Sequence, residues 1–380
     1  MQWRLLLLVP VCLAVLYWLA CAVCVALFMR KRRFSSGSPA SPFLPSVSLF
    51  KPVYGLEKNL AGNLATACCQ EYPDYEVIFG IQRKSDPALT VVEEVVSACP
   101  RENARIVVDE SSLGNNGKVS NLHNIVGIAT GKVFVVSDSD MRPAPDYLLH
   151  IVSPLADEKT GIVCTLYLAE RPENIFEVLE LLSYNPDFVV AMIFAIVTGT
   201  AVACPGASLA IRREVLEEIG GLAPLCNELA EDHALARRVL AAGYRICFIP
   251  YTAGMGLDLR TAADWWHHQV SWDQKTKSAN PVGYICTLFI RGVVFALLYA
   301  VSGGPYGWTV FLATAGLRIA TGIFNAGRLG DRDGLTCIAL LPVRDVLGLL
   351  VWLAALVKRS GSWRGRPFLL KNGKMQAAKG

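Results

Sequence analysis

The sequence has 380 residues, of which 53% are hydrophobic and only 18% are charged, and its formal net charge is +4 at pH 7. This composition is too apolar for an ordinary soluble enzyme. The basic residues lie beside apolar segments, which favours contact with anionic lipid head groups over nucleic acid. We therefore expect a lipid bilayer, and no nucleic acid, as a partner of this chain, which is long enough for two or three domains.

The N-terminal segment predicts an uncleaved membrane anchor over residues 1–30. Leu5–Phe28 carries no charge, is long enough to span a bilayer and is too long for the core of a signal peptide. Arg30 and the three basic residues after it place the end of this segment in the cytosol by the positive-inside rule. Residues 31–45 are rich in serine and proline, which is typical of a linker.

Strand and helix patterns alternate in residues 46–281, which predict a cytosolic domain. The predicted strands are Val47–Phe50, Glu76–Ile81, Arg105–Val108, Val133–Val136 and Ile162–Leu166. Helical patterns separate the first four of them, at Asn59–Gln70, Ala88–Ala98 and Asn121–Ala129. Such alternation indicates an α/β fold with a mostly parallel, doubly wound sheet.

The strand at Val133–Val136 runs directly into two carboxylates, Asp138 and Asp140. Charged groups at the end of a buried strand need a partner, and ligands of open α/β sheets bind outside the carboxyl ends of the strands. Because Arg142 is the only basic residue in register with them, we expect a divalent cation, Mg²⁺ or Mn²⁺, together with a diphosphate. A turn capped by aspartate and serine is the alternative.

Further side chains are candidates for the same site. Asp86 follows the second strand and either accepts hydrogen bonds from a nucleobase or ribose or is a turn residue. Lys118, in a flexible Gly/Asn loop, either meets a phosphate or is solvated. Asp232 opens a helix, either as its N-cap or as a general base toward an acceptor hydroxyl. His268 and Trp272 offer aromatic surfaces beside the membrane, or belong to an interfacial aromatic belt.

Residues 282–357 contain three apolar blocks, Tyr284–Val301, Gly307–Ala326 and Leu335–Val357. Each block contains an arginine, a residue that usually faces protein, water or the interface. The basic segments 328–332 and 358–380 both belong in the cytosol, which three complete spans cannot satisfy. We therefore expect two spans, a re-entrant or interfacial third segment, and a basic cytosolic tail over 358–380.

Several motifs, in this order along the chain, resemble the ceramide glucosyltransferase family. They are SVSLFKPVYG (46–55), YPDYEV (72–77), NGKVSNL (116–122), SDSD (137–140), GASLAIRREVL (206–216) and AEDH (230–233). The resemblance extends roughly over residues 44–370 and includes the bacterial hopanoid-associated glycosyltransferases. It implies a GT-A glycosyltransferase fold, a UDP-sugar donor, a divalent cation and a membrane lipid acceptor.

The resemblance also implies roles for individual residues. Asp86 would bind the nucleotide, Asp138 and Asp140 would hold the metal and the diphosphate, and Asp232 would be the base. Lys118 joins the expected donor-binding residues, as do the histidine and tryptophan of the HQVSW sequence.

Two positions depart from the family pattern. The motif (Q/R)xxRW appears as HQVSW, which keeps Trp272 but has His268 and Ser271 in place of the Gln/Arg and the arginine. Either the diphosphate is then stabilised from elsewhere, by His267, His268 or Lys275, or the donor is handled differently. Asn185-Pro186 stands where animal members carry His-Pro, so acceptor recognition is expected to differ.

The sequence therefore predicts a multi-pass, membrane-bound, inverting glycosyltransferase with its catalytic domain facing the cytosol, at the inner membrane of a bacterium. It would transfer a hexose, with glucose preferred, from a UDP-sugar to a lipid hydroxyl of ceramide type. One alternative is N-acetylglucosaminyl transfer to a hopanoid polyol. A processive polysaccharide synthase would need more spanning helices. A catalytically inactive lipid-binding scaffold is the remaining alternative, and the four retained carboxylates argue against it.

Overall fold

The computed structural model describes residues 2–30, 43–100, 103–202, 204–358, 360–363, 366–371 and 373–377. The chain forms two compact units. The first, which we name the sheet unit, comprises Arg32–Tyr167, Val202–Asp258 and Ser362–Gly380. The second, the helical unit, comprises Met1–Lys31, Leu168–Ala201 and Leu259–Gly361.

The domain bounds derived from the sequence stay a prediction. The contact pattern divides the chain differently, because residues 168–201 cluster with the helical unit although they lie inside the predicted domain 46–281. Most of the predicted linker, residues 31–42, lies outside the described residues.

The strands, in chain order, are β1 (Val47–Val53), β2 (Tyr75–Ile81), β3 (Ala104–Val108), β4 (Val133–Ser137), β5 (Met141–Arg142), β6 (Thr160–Ala169), β7 (Ser208–Arg212), β8 (Arg245–Met255), β9 (Ser360–Trp363), β10 (Arg366–Lys371) and β11 (Lys374–Ala377). The first eight form one sheet in the order β3-β2-β1-β4-β7-β6-β8-β5. Strands β3, β2, β1 and β4 are parallel, whereas β7 pairs antiparallel with both β4 and β6. The expected α/β sheet is confirmed, but the expectation that it is mostly parallel is right only for its first half.

The α-helices, in chain order, are α1 (Gln2–Leu6), α2 (Leu8–Arg30), α3 (Leu60–Cys68), α4 (Ala88–Ser97), α5 (Gly117–Val126), α6 (Tyr147–Val152), α7 (Ile175–Ser183), α8 (Val190–Thr198), α9 (Arg213–Glu218), α10 (Glu231–Ala241), α11 (Ala262–Ala279), α12 (Pro281–Cys286), α13 (Gly292–Val301), α14 (Gly307–Leu329), α15 (Arg332–Cys337) and α16 (Leu341–Val357). A π-helical turn, Tyr184–Val189, joins α7 to α8.

Strand β4 is buried along its whole length and has an apolar core on both of its faces. Val133 and Val135 pack into one core, and Phe134 and Val136 pack into the other. This alternation follows from the two-residue period of a strand, which points successive side chains to opposite faces. Because neither face meets water, the strand carries no polar residue until it ends, and the acids after it are held at the edge of the sheet.

Along the described residues, four helices are long and apolar enough to cross a bilayer: Arg4–Arg30, Ile175–Thr198, Gly307–Leu329 and Arg332–Val357. A fifth candidate is the pair Pro281–Ile290 and Gly292–Val301, which is bent by 45° at its break. The expected N-terminal and C-terminal membrane helices are confirmed. Ile175–Thr198 was not expected, because two glutamates and the sequence Asn-Pro-Asp interrupt its apolar pattern.

Candidate active site

Asp138 and Asp140 stand where β4 ends, as the sequence predicts. The amide of Asp138 donates to the carbonyl of Ala207, 3.0 Å away, and the carbonyl of Asp138 accepts from the amide of Met141 at 3.1 Å. These two backbone bonds fix the turn between β4 and β5. The turn therefore holds both carboxylates at the carboxyl end of a central strand, the edge at which α/β sheets bind their ligands.

Lys118 is the partner of Asp138. Its Nζ lies 2.6 Å from Oδ1 and 2.7 Å from Oδ2 of Asp138, and it also donates to the carbonyl of Gly206 at 3.1 Å. Burial alone would lower the pKa of this ammonium, but the neighbouring Asp138 and Glu231 outweigh burial and raise the pKa above its usual value. The expectation of a lysine in a flexible loop is wrong, because Lys118 is buried in the first turn of α5.

The premise that only Arg142 is near the two acids is also wrong. Lys118 reaches Asp138 from α5, 20 positions earlier in the chain. Lys51, fully buried in β1, donates to the carbonyls of Asp138 and Met141 at 2.8 and 3.0 Å. Burial lowers the pKa of Lys51 to about 8, against the attraction of Asp140 and Asp138. Two lysine ammonium groups, those of Lys118 and Lys51, thus contact the turn, and neither lysine is near the turn in sequence.

Asp232 joins this cluster through Gly206. Oδ2 of Asp232 accepts from the amide of Gly206 at 3.0 Å, and Oδ1 accepts from the amide of His233 at 2.7 Å. The alternative role of Asp232 as an N-cap is wrong: the cap position of α10 is Ala230, and Asp232 is the second residue of the helix. Its carboxylate is therefore oriented by a loop glycine and a helix amide.

A continuous chain of contacts thus connects the end of β4 to the start of α10. It runs from Asp138 through the ammonium of Lys118 to the carbonyl of Gly206, and from the amide of Gly206 to Asp232. Because a Cβ on Gly206 would lie only 2.9 Å from Cβ of Asp232, this position requires glycine for close approach. Four residues far apart in sequence are held together in this way.

Asp140 has an unsatisfied oxygen. Its Oδ1 is buried and accepts no hydrogen bond from any of the described residues. Burial first, and then the negative charges of Asp138 and Glu57, raise the pKa of Asp140 to about 7. Such a carboxylate is stabilised by a cation. The donor set therefore fits a divalent metal ion.

The protein would supply few ligands to this metal. No group of three or more His, Cys, Asp or Glu side chains with metal-binding geometry occurs in the part of the chain that the structure describes. Asp138 and Asp140 would be the protein ligands. Mg²⁺ is commonly bound in this way, by one or two carboxylates with water and substrate phosphates completing the shell.

Asp86 connects two loops at the same edge of the sheet. Its Oδ1 and Oδ2 accept from the amide of Gly55 at 3.0 and 3.1 Å, and Oδ1 also accepts from the amide of Ala88 at 2.9 Å. The residue is buried. Asp86 therefore fixes the loop after β1 to the start of α4, and its contact with a nucleotide stays a prediction.

His268 and Trp272 belong to the helical unit, on α11. Nδ1 of His268 lies 3.0 Å from Oε1 of Glu180. Trp272 packs edge-on against Tyr184 and Phe188, with ring centroids 5.2 Å apart in both pairs. Their role in donor binding stays a prediction.

The side chain of Asn185 is hydrogen-bonded to the backbone. Its side-chain amide donates to the carbonyl of Ala169 and accepts from the amide of the same residue, at 3.0 and 2.9 Å. The residue is fully buried, so it holds the end of β6 and presents no free polar group. Its expected effect on acceptor recognition stays a prediction.

Sequence reasoning missed Lys51 and Gly206. Lys51 had a signal, since it is the one charged residue in the buried strand β1. Gly206 had none, because its importance arises from contact with residues distant in the chain.

The chain resembles known proteins over most of its length. The family model described as "Glycosyl transferase family 21" matches residues 10–376. Ceramide glucosyltransferase 1 of Caenorhabditis elegans is 25% identical over 231 residues, which are 60% of this chain and 49% of that protein. Beta-monoglucosyldiacylglycerol synthase of Trichormus variabilis is 25% identical over 250 residues, 64% of this chain and 51% of that protein. The aligned part thus spans about half the length of these relatives.

One solved structure supports the fold. It is a mannosyltransferase from Pyrobaculum calidifontis, determined in complex with GDP-Man and Mn²⁺. The similarity has a TM-score of 0.51 and 20% identity, and it covers 91% of this chain and 97% of that one. The sheet and helices described above are therefore a GT-A-like fold.

Proposed function

Because the chain belongs to glycosyl transferase family 21, we propose that it transfers a hexose, glucose, from a UDP-sugar to a hydroxyl group of a membrane lipid. A ceramide-type acceptor is our first candidate, since relatives named as ceramide glucosyltransferases and as a glucosyldiacylglycerol synthase are similar to most of the chain. The single observation that carries the proposal is the contact chain from Asp138 through Lys118 and Gly206 to Asp232.

In this proposal Asp232 is the general base. Its carboxylate is held by the amides of Gly206 and His233, so that the side chain has a fixed direction before the acceptor arrives. It takes the proton of the lipid hydroxyl as that oxygen attacks the anomeric carbon, opposite to the leaving UDP. One displacement inverts the centre, and no covalent sugar–enzyme intermediate is needed.

The other end of the contact chain receives the donor. Asp138 and Asp140 would hold a divalent cation, which when bound neutralises charge on the diphosphate. Lys118 is a positive charge held beside Asp138, so it compensates the negative charge that collects there. Asp86 fixes the loop after β1, against which the nucleotide would lie.

We propose that the sheet unit and the C-terminal tail both face the cytosol. The tail is hydrogen-bonded to the sheet unit, since Met375 donates to the carbonyl of Asn227 at 2.8 Å and accepts from the side chain of Asn115 at 3.1 Å. In this proposal the segment between β8 and β11 begins and ends on one side of the membrane, and it contains an even number of complete crossings.

The same argument about the number of crossings applies to Ile175–Thr198. It lies between β6 and β7, which are paired neighbours in the sheet, so we propose that this single helix does not cross completely. Among the three C-terminal blocks, cytosolic Arg328 and Arg332 favour crossing by Pro281–Val301 and by Gly307–Leu329. Arg332–Val357 would then be re-entrant or interfacial.

The proposal is tested by lipid mass spectrometry of a bacterium that expresses the chain, against an empty vector and the variant Asp232→Asn. Asparagine keeps an oxygen that can accept from the amide of Gly206 but cannot take up a proton. We expect a new hexosyl lipid with the native chain. In purified protein we expect Asp232→Asn to lower the transfer rate by about 10²–10⁴-fold, the usual contribution of general base catalysis.

Two controls make this experiment decisive. Slow hydrolysis of UDP-glucose by the purified native protein, without acceptor, distinguishes an enzyme from a lipid-binding scaffold. Donor binding should survive in Asp232→Asn, because Asp138 and Asp140 are unchanged. A folded Asp232→Asn variant with native turnover would remove Asp232 from the mechanism, and a chain that changes no lipid and hydrolyses no donor would contradict the proposed function.

A further inference from the structure

The helical unit contains a cavity of about 190 Å³ that is lined by both charged and apolar side chains. This volume is enough for on the order of ten water molecules. Charged side chains buried between apolar helices are energetically costly, and in membrane proteins they mark functional sites. Four carboxylates and three guanidinium groups line the cavity: Glu180, Asp187, Asp273, Asp345, Arg291, Arg318 and Arg344.

Asp187 presents a carboxylate to this cavity. Its Oδ1 accepts from Arg318 at 3.1 Å and its Oδ2 accepts from Arg344 at 2.6 Å. The side chain of Asp187 is nevertheless 42% exposed, whereas those of Arg318 and Arg344 are 4% and 10% exposed. The two buried arginines thus hold the carboxylate of Asp187, and its exposed part can still accept hydrogen bonds.

The backbone at Asp187 is irregular. It belongs to the π-helical turn Tyr184–Val189 between α7 and α8. Pro186 in this turn has no amide hydrogen to donate, which favours such a bulge. Short π-helical turns inside α-helices are frequent at functional sites, because they turn a side chain away from the regular helical direction.

Arg291 lies at a second irregular position. It separates Pro281–Ile290 from Gly292–Val301, where the helix pair is bent by 45°. Arg291 lines the cavity, and its Nε is buried with no hydrogen-bond partner among the described residues. A buried donor without a partner is costly, which indicates that a ligand or ordered water satisfies it.

The cavity also has an aromatic wall. Tyr184, Phe188 and Trp272 line it and pack against one another with ring centroids 5.2 Å apart. Flat apolar rings beside a carboxylate and a guanidinium suit a group that has both C–H surfaces and hydroxyls. A phosphate fits less well, because carboxylates already outnumber guanidinium groups among the lining residues.

We propose that this cavity binds the uncharged, hydroxyl-rich head group of an amphiphile, with Asp187 accepting from its hydroxyls and Arg291 donating to them. The inference rests on the proposed function only in taking the lipid acceptor, or its glycosylated product, as that amphiphile. It adds a binding site in the helical unit for the head group of the lipid acceptor or of the glycosylated product.

The test uses three octyl amphiphiles that differ only in the head group: octyl β-glucoside, octyl phosphate and octanol. Each is titrated into the full-length protein in lipid nanodiscs, below its aggregation concentration, while tryptophan fluorescence is recorded. We expect saturable binding that is tightest for the glucoside. Saturation by octyl phosphate at lower concentrations than by the glucoside, or no saturable response to any of the three, would overturn the proposal.

Two variants and one control locate the site. Arg291→Met removes the guanidinium that carries the unpartnered Nε, at similar length, and Ala191→Phe places bulk against the lining of the cavity. Each should weaken glucoside binding by about tenfold or more, because hydrogen bonds to charged groups are strong and the space is confined. Arg332→Met, an exposed arginine of the same unit, should leave binding unchanged. Unchanged binding in both cavity variants would overturn the proposal.

Kinetics separate this inference from the proposed function. In Arg291→Met the slow hydrolysis of UDP-glucose should be unchanged. If the cavity binds the head group of the acceptor, Arg291→Met should have a raised KM for the lipid. If the cavity instead binds the sugar of the product, Arg291→Met should be inhibited less strongly by octyl glucoside, and its KM for the lipid should be unchanged. If the native protein hydrolyses no donor but still binds the glucoside, the proposed function fails and the cavity assignment stands.

Discussion

Gly206→Ala tests whether the close approach of Gly206 to Asp232 positions the base. A Cβ at this position would lie 2.9 Å from Cβ, 3.1 Å from Oδ2 and 3.3 Å from Cγ of Asp232. The backbone of Gly206 does not have a positive φ, so the new methyl group acts through this contact rather than through backbone strain. The amide that holds Oδ2 of Asp232 belongs to the same residue.

The size of the effect follows from these distances. Non-bonded carbon atoms pack at about 3.5–4.0 Å. The Cβ–Cβ contact would therefore be roughly 0.6–1.1 Å too short, and Asp232 at the start of α10 would have to move by a similar amount. Since a misplacement of about 1 Å at a reacting group can cost on the order of 10²-fold in rate, we expect transfer to fall by roughly 10- to 100-fold.

The assay is radiolabelled sugar transfer to a short-chain ceramide by purified protein, with thermal unfolding as the measure of folding. Gly127→Ala is the matched control, because a Cβ at Gly127 meets nothing within 4 Å and Gly127 has φ of −63° at the end of α5. We expect the control to keep the native rate. Native transfer by a folded Gly206→Ala variant would refute the argument that Gly206 positions Asp232.

Four other outcomes are expected. Chelation by EDTA should abolish transfer and Mg²⁺ or Mn²⁺ should restore it, and full activity in chelator would rule out the metal. Lys118→Met should lower stability by about 1–3 kcal/mol through the loss of the partner of Asp138, measured by thermal unfolding against the exposed Lys132→Met. Asp86→Ala should lower the unfolding temperature more than Asp86→Asn, which keeps an acceptor for the amides of the two loops; equal effects would contradict this. In a cysteine-free background, a cysteine at Lys374 should be labelled only from the cytosolic side and one at Tyr306 only from the outer side, whereas outer labelling at Lys374 would contradict the topology.

The sequence predicts the first half of the sheet well because its signals there are local. Buried, mainly apolar runs mark β1, β2 and β4, and Asp138 and Asp140 follow from where the last of these runs stops. The second half is different. Strand β7 pairs antiparallel with β4, although 70 residues separate the two, and no pattern within either strand determines the direction of its partner.

The candidate site shows the same limit. The acids could be identified one by one, because a carboxylate beside an apolar run is conspicuous in a sequence. Their surroundings could not: Lys118 was expected in a flexible loop, and an N-cap role remained an alternative for Asp232, since both fit the local spacing. Burial and the approach of Gly206 decide otherwise, and both are properties of the folded chain.

Lys118 has a place in the site that neither acid alone would suggest. Its ammonium contacts Asp138, where the donor would bind, and also the carbonyl of Gly206, whose amide holds Asp232. A change in charge at Asp138 therefore acts on Lys118, and a shift of Lys118 acts on the loop that orients the base. Because hydrogen-bonded groups in a buried network polarise one another, the proposed mechanism would couple arrival of the donor to the alignment of Asp232 through this one side chain.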